Sequence, residues 1–208
     1  EQISGDDRLK FIIDKSKVVE VDIKSCSLRI ACHLLNFNPT QEDLYNIGRS
    51  YPRNDVKLTV QQMLNMNCTS SRSLAQRFVD VSNSNELKTQ LNNNSSYIKQ
   101  LAEDIYNYYN TDDMNNLSSK MFFQDKGMTD IMAIETAVVF DVIEYFTAKN
   151  EIVLTIHDSY IVKEDLHSEL EEAVKSSYYK HTHYKPILSA NYEKKKMSHK
   201  ELRTLLNK

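Results

Sequence analysis

The stretch Ile152-Val153-Leu154-Thr155-Ile156-His157-Asp158-Ser159-Tyr160-Ile161-Val162 sets a charged dipeptide between two apolar runs. Short runs rich in β-branched residues, parted by two polar ones, read as a hairpin whose bend is His157-Asp158. A carboxylate at the bend of buried strands is costly unless something takes up its charge. A second acid has the same setting: Asp22 closes the apolar run Val18-Val19-Glu20-Val21. Antiparallel pairing of these strands would bring Asp22 and Asp158 together, and adjacent carboxylates repel unless divalent cations neutralise them. Mg²⁺ prefers one or two carboxylates plus water and substrate phosphates. In two-metal sites the ions clamp the attacking and leaving oxygens of an in-line displacement. The pair outlines a metal-dependent nucleotidyltransferase; the duller alternative is that Asp158 only makes a turn, where Asp is common.

Working outward, three glycines and three prolines in 208 residues favour long helices over a many-turned β fold. Residues 8–13 and 17–22 read as strands. Leu28, Ala31, Leu34 and Leu35 then recur at helical spacing, so a strand feeds a helix at Asp22. The segment 36–52 is polar and loop-like, and 53–65 carries Val56, Val60, Met63 and Leu64 on one helical side. Residues 68–120, rich in Asn, Ser and Gln, read as helices with long polar connections. Ile131, Ile134, Val138, Val142 and Tyr145 mark a core-facing helix over 129–147. Another amphipathic helix follows at Leu166, Leu170, Ala173 and Val174, and Ile187-Leu188 reads as a closing strand. The expected class is α+β: a small antiparallel sheet with helices packed on one side and a helical insertion. The expected organisation is 1–36, 37–120 and 121–208.

A net charge of −3 excludes a protein that holds nucleic acid by overall charge, so local patches would have to serve. Candidates are Lys10, Lys15, Lys17 and Lys24 near the start and Lys194-Lys195-Lys196, Lys200 and Arg203 near the end. Three cysteines without a CxxC pair point to a reducing compartment, with the cytoplasm as the expectation. No apolar run is long enough for a membrane span and no secretory signal opens the chain. Its first residue, Glu1, leaves room for further domains upstream in a longer protein. His181, His183 and His199 meet no metal-ligand spacing, and Tyr106, Tyr108 and Tyr109 read as packing on an amphipathic helix. No Gly-rich phosphate loop or nucleophile elbow occurs.

Asp22-Ile23-Lys24-Ser25-Cys26-Ser27-Leu28-Arg29 resembles motif A of the family A, polymerase I-like DNA polymerases, Asp-Tyr-Ser-Gln-Ile-Glu-Leu-Arg, with Asp and Leu-Arg in register. Ser25-Cys26-Ser27 is also similar to the Ser-Cys-Ser of single-subunit phage-type RNA polymerases, shifted by one position. Ile156-His157-Asp158-Ser159 resembles motif C, which reads His-Asp-Glu in most polymerase I enzymes and His-Asp-Ser in those RNA polymerases. Arg53-Asn54-Asp55-Val56-Lys57 is similar to the Arg-x3-Lys opening of motif B, and Asp130-Ile131-Met132 to the helix before motif C. The likeness covers about 17–66 and 121–190. It departs at Ser27, where the family has a glutamate that blocks a ribose 2′-hydroxyl. It departs again at Gln61, in place of a stacking aromatic, and at Asn65-Met66, in place of Tyr-Gly.

The resemblance implies a polymerase palm with a reduced helical fingers region. It implies a template-dependent polymerase that adds nucleotides to a 3′-hydroxyl, DNA-directed DNA polymerase ahead of RNA polymerase, with DNA replication, repair, priming and mobile-element maintenance all open as its setting. Asp22, Asp158 and the carbonyl of Ile23 would hold two Mg²⁺ ions, with Mn²⁺ as a substitute. Arg53 and Lys57 would grip the triphosphate, Arg29 and His157 the primer strand, and Ser27 would lie near the incoming sugar. The partners would be a DNA or RNA primer-template and nucleoside triphosphates, with no membrane. The alternative is a catalytically inactive module of polymerase fold that binds nucleic acid, in which Glu20 and Lys24 pair beside Asp22.

Overall fold

One strand, Ser16–Ile23, pairs with three of the other four strands and so organises the sheet. The computed structural model describes residues 3–48, 50–64, 95–114, 116–117 and 127–193. Strand β2, Ser16–Ile23, pairs antiparallel with β1 (Ile12–Ile13), β4 (Ser159–Lys163) and β5 (Leu188–Tyr192), and β4 also pairs with β3, Leu154–Ile156. The helices are α1, Gly5–Arg8; α2, Cys26–Leu34; α3, Arg53–Leu64; α4, Ser95–Tyr109; α5, Gly127–Thr147; and α6, His167–Thr182. The class is α+β.

Strand periodicity explains how β2 serves two layers. Val19, Val21 and Ile23 alternate onto one face, where with Tyr160 and Val162 they join the main core built by α2, α5 and α6. Val18 and Ile161 fall on the other face and pack with Ile13, Phe11 and Ile156 in a smaller cluster. Glu20 lies on that second face and is buried against Arg8, 3.0 Å away, while Lys24 pairs with Glu42, so a Glu20–Lys24 pair does not form. Lys10 and Lys17 are paired with Asp7 and Glu193. Three of the four lysines near the start, Lys10, Lys17 and Lys24, are therefore charge-balanced; the basic residues of 194–203 lie outside the described residues.

The strand expected over 8–13 is two elements. Ser4 accepts the Asp7 backbone N–H at 3.2 Å, and the acids Asp6 and Asp7 occupy the first turn of α1, both of which favour a helix start. The strand is left only Ile12–Ile13, and the two-residue bend Asp14-Lys15, with φ of 49° and 67°, returns the chain into β2. Tyr109 is buried with its hydroxyl on the Leu44 carbonyl, and Tyr97 and Tyr51 bond Asp55 and Asp104, which ties α4 to α3 and to the loop before it. Among the described residues no helix is long and apolar enough to cross a membrane.

Arg29 does not face a nucleic acid. It is 1% exposed, and its guanidinium donates to the carbonyls of Lys24 at 3.2 Å, Pro39 at 3.5 Å, Gln41 at 3.0 Å and Glu42 at 3.0 Å. The planar fork of donors matches a looped-back backbone, and so Arg29 holds the segment 36–44 against the start of α2. Arg29→Ala is expected to lower stability by about 2–4 kcal/mol, because buried carbonyls lose their donors. Urea unfolding measures this, and a loss below about 0.5 kcal/mol, the scale of a surface change, would contradict the clamp.

Candidate active site

The register of β2 against β4 decides what meets at the end of the sheet. Asp22 stands opposite Ser159, the Ile23 N–H donates to the Asp158 carbonyl at 3.3 Å, and the Ser159 hydroxyl donates to Asp22 Oδ1 at 2.9 Å. Ile156 pairs with Ser159, which leaves His157-Asp158 as a two-residue bend, as the sequence suggests. His157 is left-handed there, with φ of 55°. That conformation costs a non-glycine residue roughly 1–2 kcal/mol, and the paired strands on either side hold it. On the other edge β5 sets Ser189 opposite Asp22. Small side chains on both sides leave the Asp22 carboxylate room.

These groups open onto a cavity of about 850 Å³. Asp22, Ile23, Ser27, His157 and Asp158 line it on the sheet and α2 side, and Arg53, Lys57 and Gln61 line it from α3. Arg53 and Lys57, one turn apart, share a helix face. Of the residues that the resemblance assigns to metal or substrate, Arg29 is absent from the walls. Arg53 is already engaged, with Nε and Nη2 on Asp43 at 2.5 and 3.2 Å and its guanidinium 5.3 Å from the Tyr45 ring centre.

Burial raises the Asp22 carboxyl above the usual carboxylate range, and the Asp158 charge adds to this, against the Ser159 hydrogen bond and Lys57. Burial likewise raises Asp158; its own backbone N–H and Lys57 oppose the shift, and Glu135 adds to it. Two partly buried carboxylates thus border one cavity with Lys57 offsetting both, a concentration of negative charge suited to a divalent cation. The donors are hard oxygens, and among the described residues no group of three or more His, Cys, Asp or Glu side chains is placed to hold a metal ion. The set fits Mg²⁺ or Mn²⁺ with open positions rather than a structural zinc site. Asp22 and Asp158, with Ile23 between them, would hold it.

Glu135 escaped the sequence reading. It projects from α5 into the cavity and accepts the Ser27 hydroxyl at 2.6 Å. The space beside Ser27 is occupied by a carboxylate from another element. Its signal was present: Glu135 is the lone charge in the apolar run 131–140. Ser189 gave no such signal, because its place depends on the β5 register. The Asn65-Met66 departure lies outside the described residues. His181 is bound to Asp141 at 2.9 Å, away from the cavity walls.

No protein-family model matches this chain, and no curated protein matches it. Among solved structures it is similar to the POL domain of Pol1 from M. smegmatis, in complex with DNA primer-template and dNTP. The TM-score is 0.46 and the identity 16%, over 89% of this chain and 41% of that one. The chain therefore spans about two fifths of the length of that structure.

A carboxylate whose folded value is raised binds its proton more tightly folded than unfolded, so stability falls as pH rises through that value. At neutral pH without divalent metal the pair is a burden, and Asp158→Asn is expected to stabilise the protein by about 1 kcal/mol, a Tm rise of roughly 2–4 °C. Added Mg²⁺ is expected to stabilise the natural protein far more than the variant. Thermal unfolding with and without Mg²⁺ tests both; equal Mg²⁺ effects would contradict the assignment.

Proposed function

We propose that this chain is the palm and fingers portion of a template-dependent nucleic-acid polymerase, with residues 1–36 and 121–208 as palm and 37–120 as fingers. The observation that carries the reading is the meeting of Asp22 and Asp158, through β2–β4 pairing, in a cavity faced by Lys57 and Arg53. Bound Mg²⁺ would supply Lewis acidity for activating a 3′-hydroxyl and neutralising the departing pyrophosphate. The chain's own residues position the reactants. Asp22 is oriented by Ser159, and the left-handed His157 holds Asp158 at the turn. Lys57 offsets charge at the two acids and is placed to take a phosphate oxygen. In phosphoryl transfer most of the acceleration comes from such placement and electrostatic stabilisation.

His157 is exposed at the cavity rim, a position that suits contact with a primer terminus. The Ser27–Glu135 pair lies near Asp158 and would border the incoming sugar. The preference for a DNA product over an RNA product belongs to this reading, as do the primer-template partner and the replication setting.

The test is primer extension with Mg²⁺. Asp22→Asn and Asp158→Asn should each lower incorporation by about 10²–10³-fold, equivalent to the several kcal/mol that a metal ion contributes. Lys57→Ala should raise the apparent KM for the nucleotide by about tenfold, the worth of one charge-assisted hydrogen bond. Nucleic-acid binding without Asp158-dependent incorporation would replace this reading with the inactive binding module.

A further inference from the structure

Two cations of the cavity are held by consecutive acids of one loop. Lys24, at the junction of β2 and α2, bonds Glu42, and Arg53, at the start of α3, bonds Asp43 through two nitrogens. All four side chains line the cavity. Glu42 is the simpler partner: its side chain is 68% exposed, and among the described residues its carboxylate bonds Lys24 alone. Asp43 also receives the Tyr45 N–H at 3.1 Å and the Ser25 hydroxyl at 3.4 Å. Burial tends to raise the Asp43 carboxyl, but the Arg53 and Tyr45 hydrogen bonds outweigh it and keep the group below the usual carboxylate range. Asp43 is therefore charged at neutral pH.

The balance of charge shows why this matters. The cavity is lined by the acids Asp22, Glu42, Asp43, Glu135 and Asp158 against Lys24, Arg53 and Lys57. Among the described residues Lys57 alone of these cations has no acid partner, and it already screens Asp22 and Asp158. A phosphate chain entering this state would meet more negative than positive charge. Exposed ion pairs are weak and exchange readily. A phosphate that reached Lys24 and Arg53 would form charge-assisted hydrogen bonds of the stronger kind, bidentate at the guanidinium.

We infer that Lys24 and Arg53 form a polyphosphate clamp, closed in the free protein by Glu42 and Asp43, and that the phosphate chain of a nucleotide opens it by displacing these carboxylates. The inference rests on the reading of the cavity as a nucleoside triphosphate site and adds Lys24 to it. Arg29 makes the closure a property of the fold, because it fixes the Gln41 and Glu42 carbonyls and so sets the loop at the distance where both acids reach their cations. Selectivity follows: a monophosphate reaching only one prong displaces one carboxylate and gains little.

Calorimetric titration of the full chain with inorganic tripolyphosphate at low salt, with Mg²⁺ present, tests the clamp. Glu42→Gln is expected to tighten binding about two- to fivefold, the scale of one exposed ion pair, and Lys24→Ala to weaken it. In the Lys24→Ala background Glu42→Gln should change nothing. An unchanged affinity for Glu42→Gln, or a gain that persists without Lys24, would overturn the clamp, the latter by showing a general charge effect. Tripolyphosphate binding that ignores both Lys24→Ala and Lys57→Ala would instead overturn the nucleotide reading of the cavity.

Discussion

The antiparallel register that sets Asp22 opposite Ser159 is the constraint on which the rest of the molecule depends. A shift of one residue would turn Val19, Val21 and Ile23 away from the helices, and would move Asp22 off the cavity. The same alternation that buries the apolar side chains therefore aims the acid. Because the core opposes slippage, the carboxylate pair is held by hydrophobic burial and needs no strong contact of its own.

From that register the charges arrange themselves in tiers. Asp22 and Asp158 sit together, each pushed upward by burial, and face Lys57 across the cavity. Outside them, Lys24 and Arg53 are matched to Glu42 and Asp43. The loop that brings these acids is itself seated by Arg29, which gives its guanidinium to backbone carbonyls. A residue that reads as a ligand for an external anion serves instead as internal scaffolding. The difference is geometric: Arg29 is 1% exposed and spends four of its five donors on backbone carbonyls, which leaves it out of reach of an external anion.

Several elements were legible because local chemistry and global packing agree. The hairpin around His157-Asp158 was marked by two β-branched runs with a polar pair between them, and the pattern holds strand by strand. The helix at 129–147 had sustained apolar spacing and runs from Gly127 to Thr147. The segment 8–13 failed because its apolar residues outweighed the Ser4 cap and paired acids just upstream, which favour a turn of helix. At the site, Glu135 hid within an apolar helix, where a single acid reads as a solvent-facing interruption. Its contact with Ser27 spans 108 positions, so no local window could reveal it.

What the sequence by itself determined is most of the inventory of strands and helices, and that Asp22 and Asp158 stand at strand ends, since periodicity and short motifs are local properties of the chain. Only the tertiary structure decided which charged groups face one cavity, which are committed to one another, and which are enclosed. Ser189, Glu135 and the Glu42–Lys24 pair reach their places through strand register, helix packing and loop seating. Arg29 and Arg53 look alike as isolated cations, yet the fold buries one among carbonyls and leaves the other half-exposed against a single carboxylate. Electrostatic roles depend on distance and burial, and both are set by packing between segments far apart in the chain.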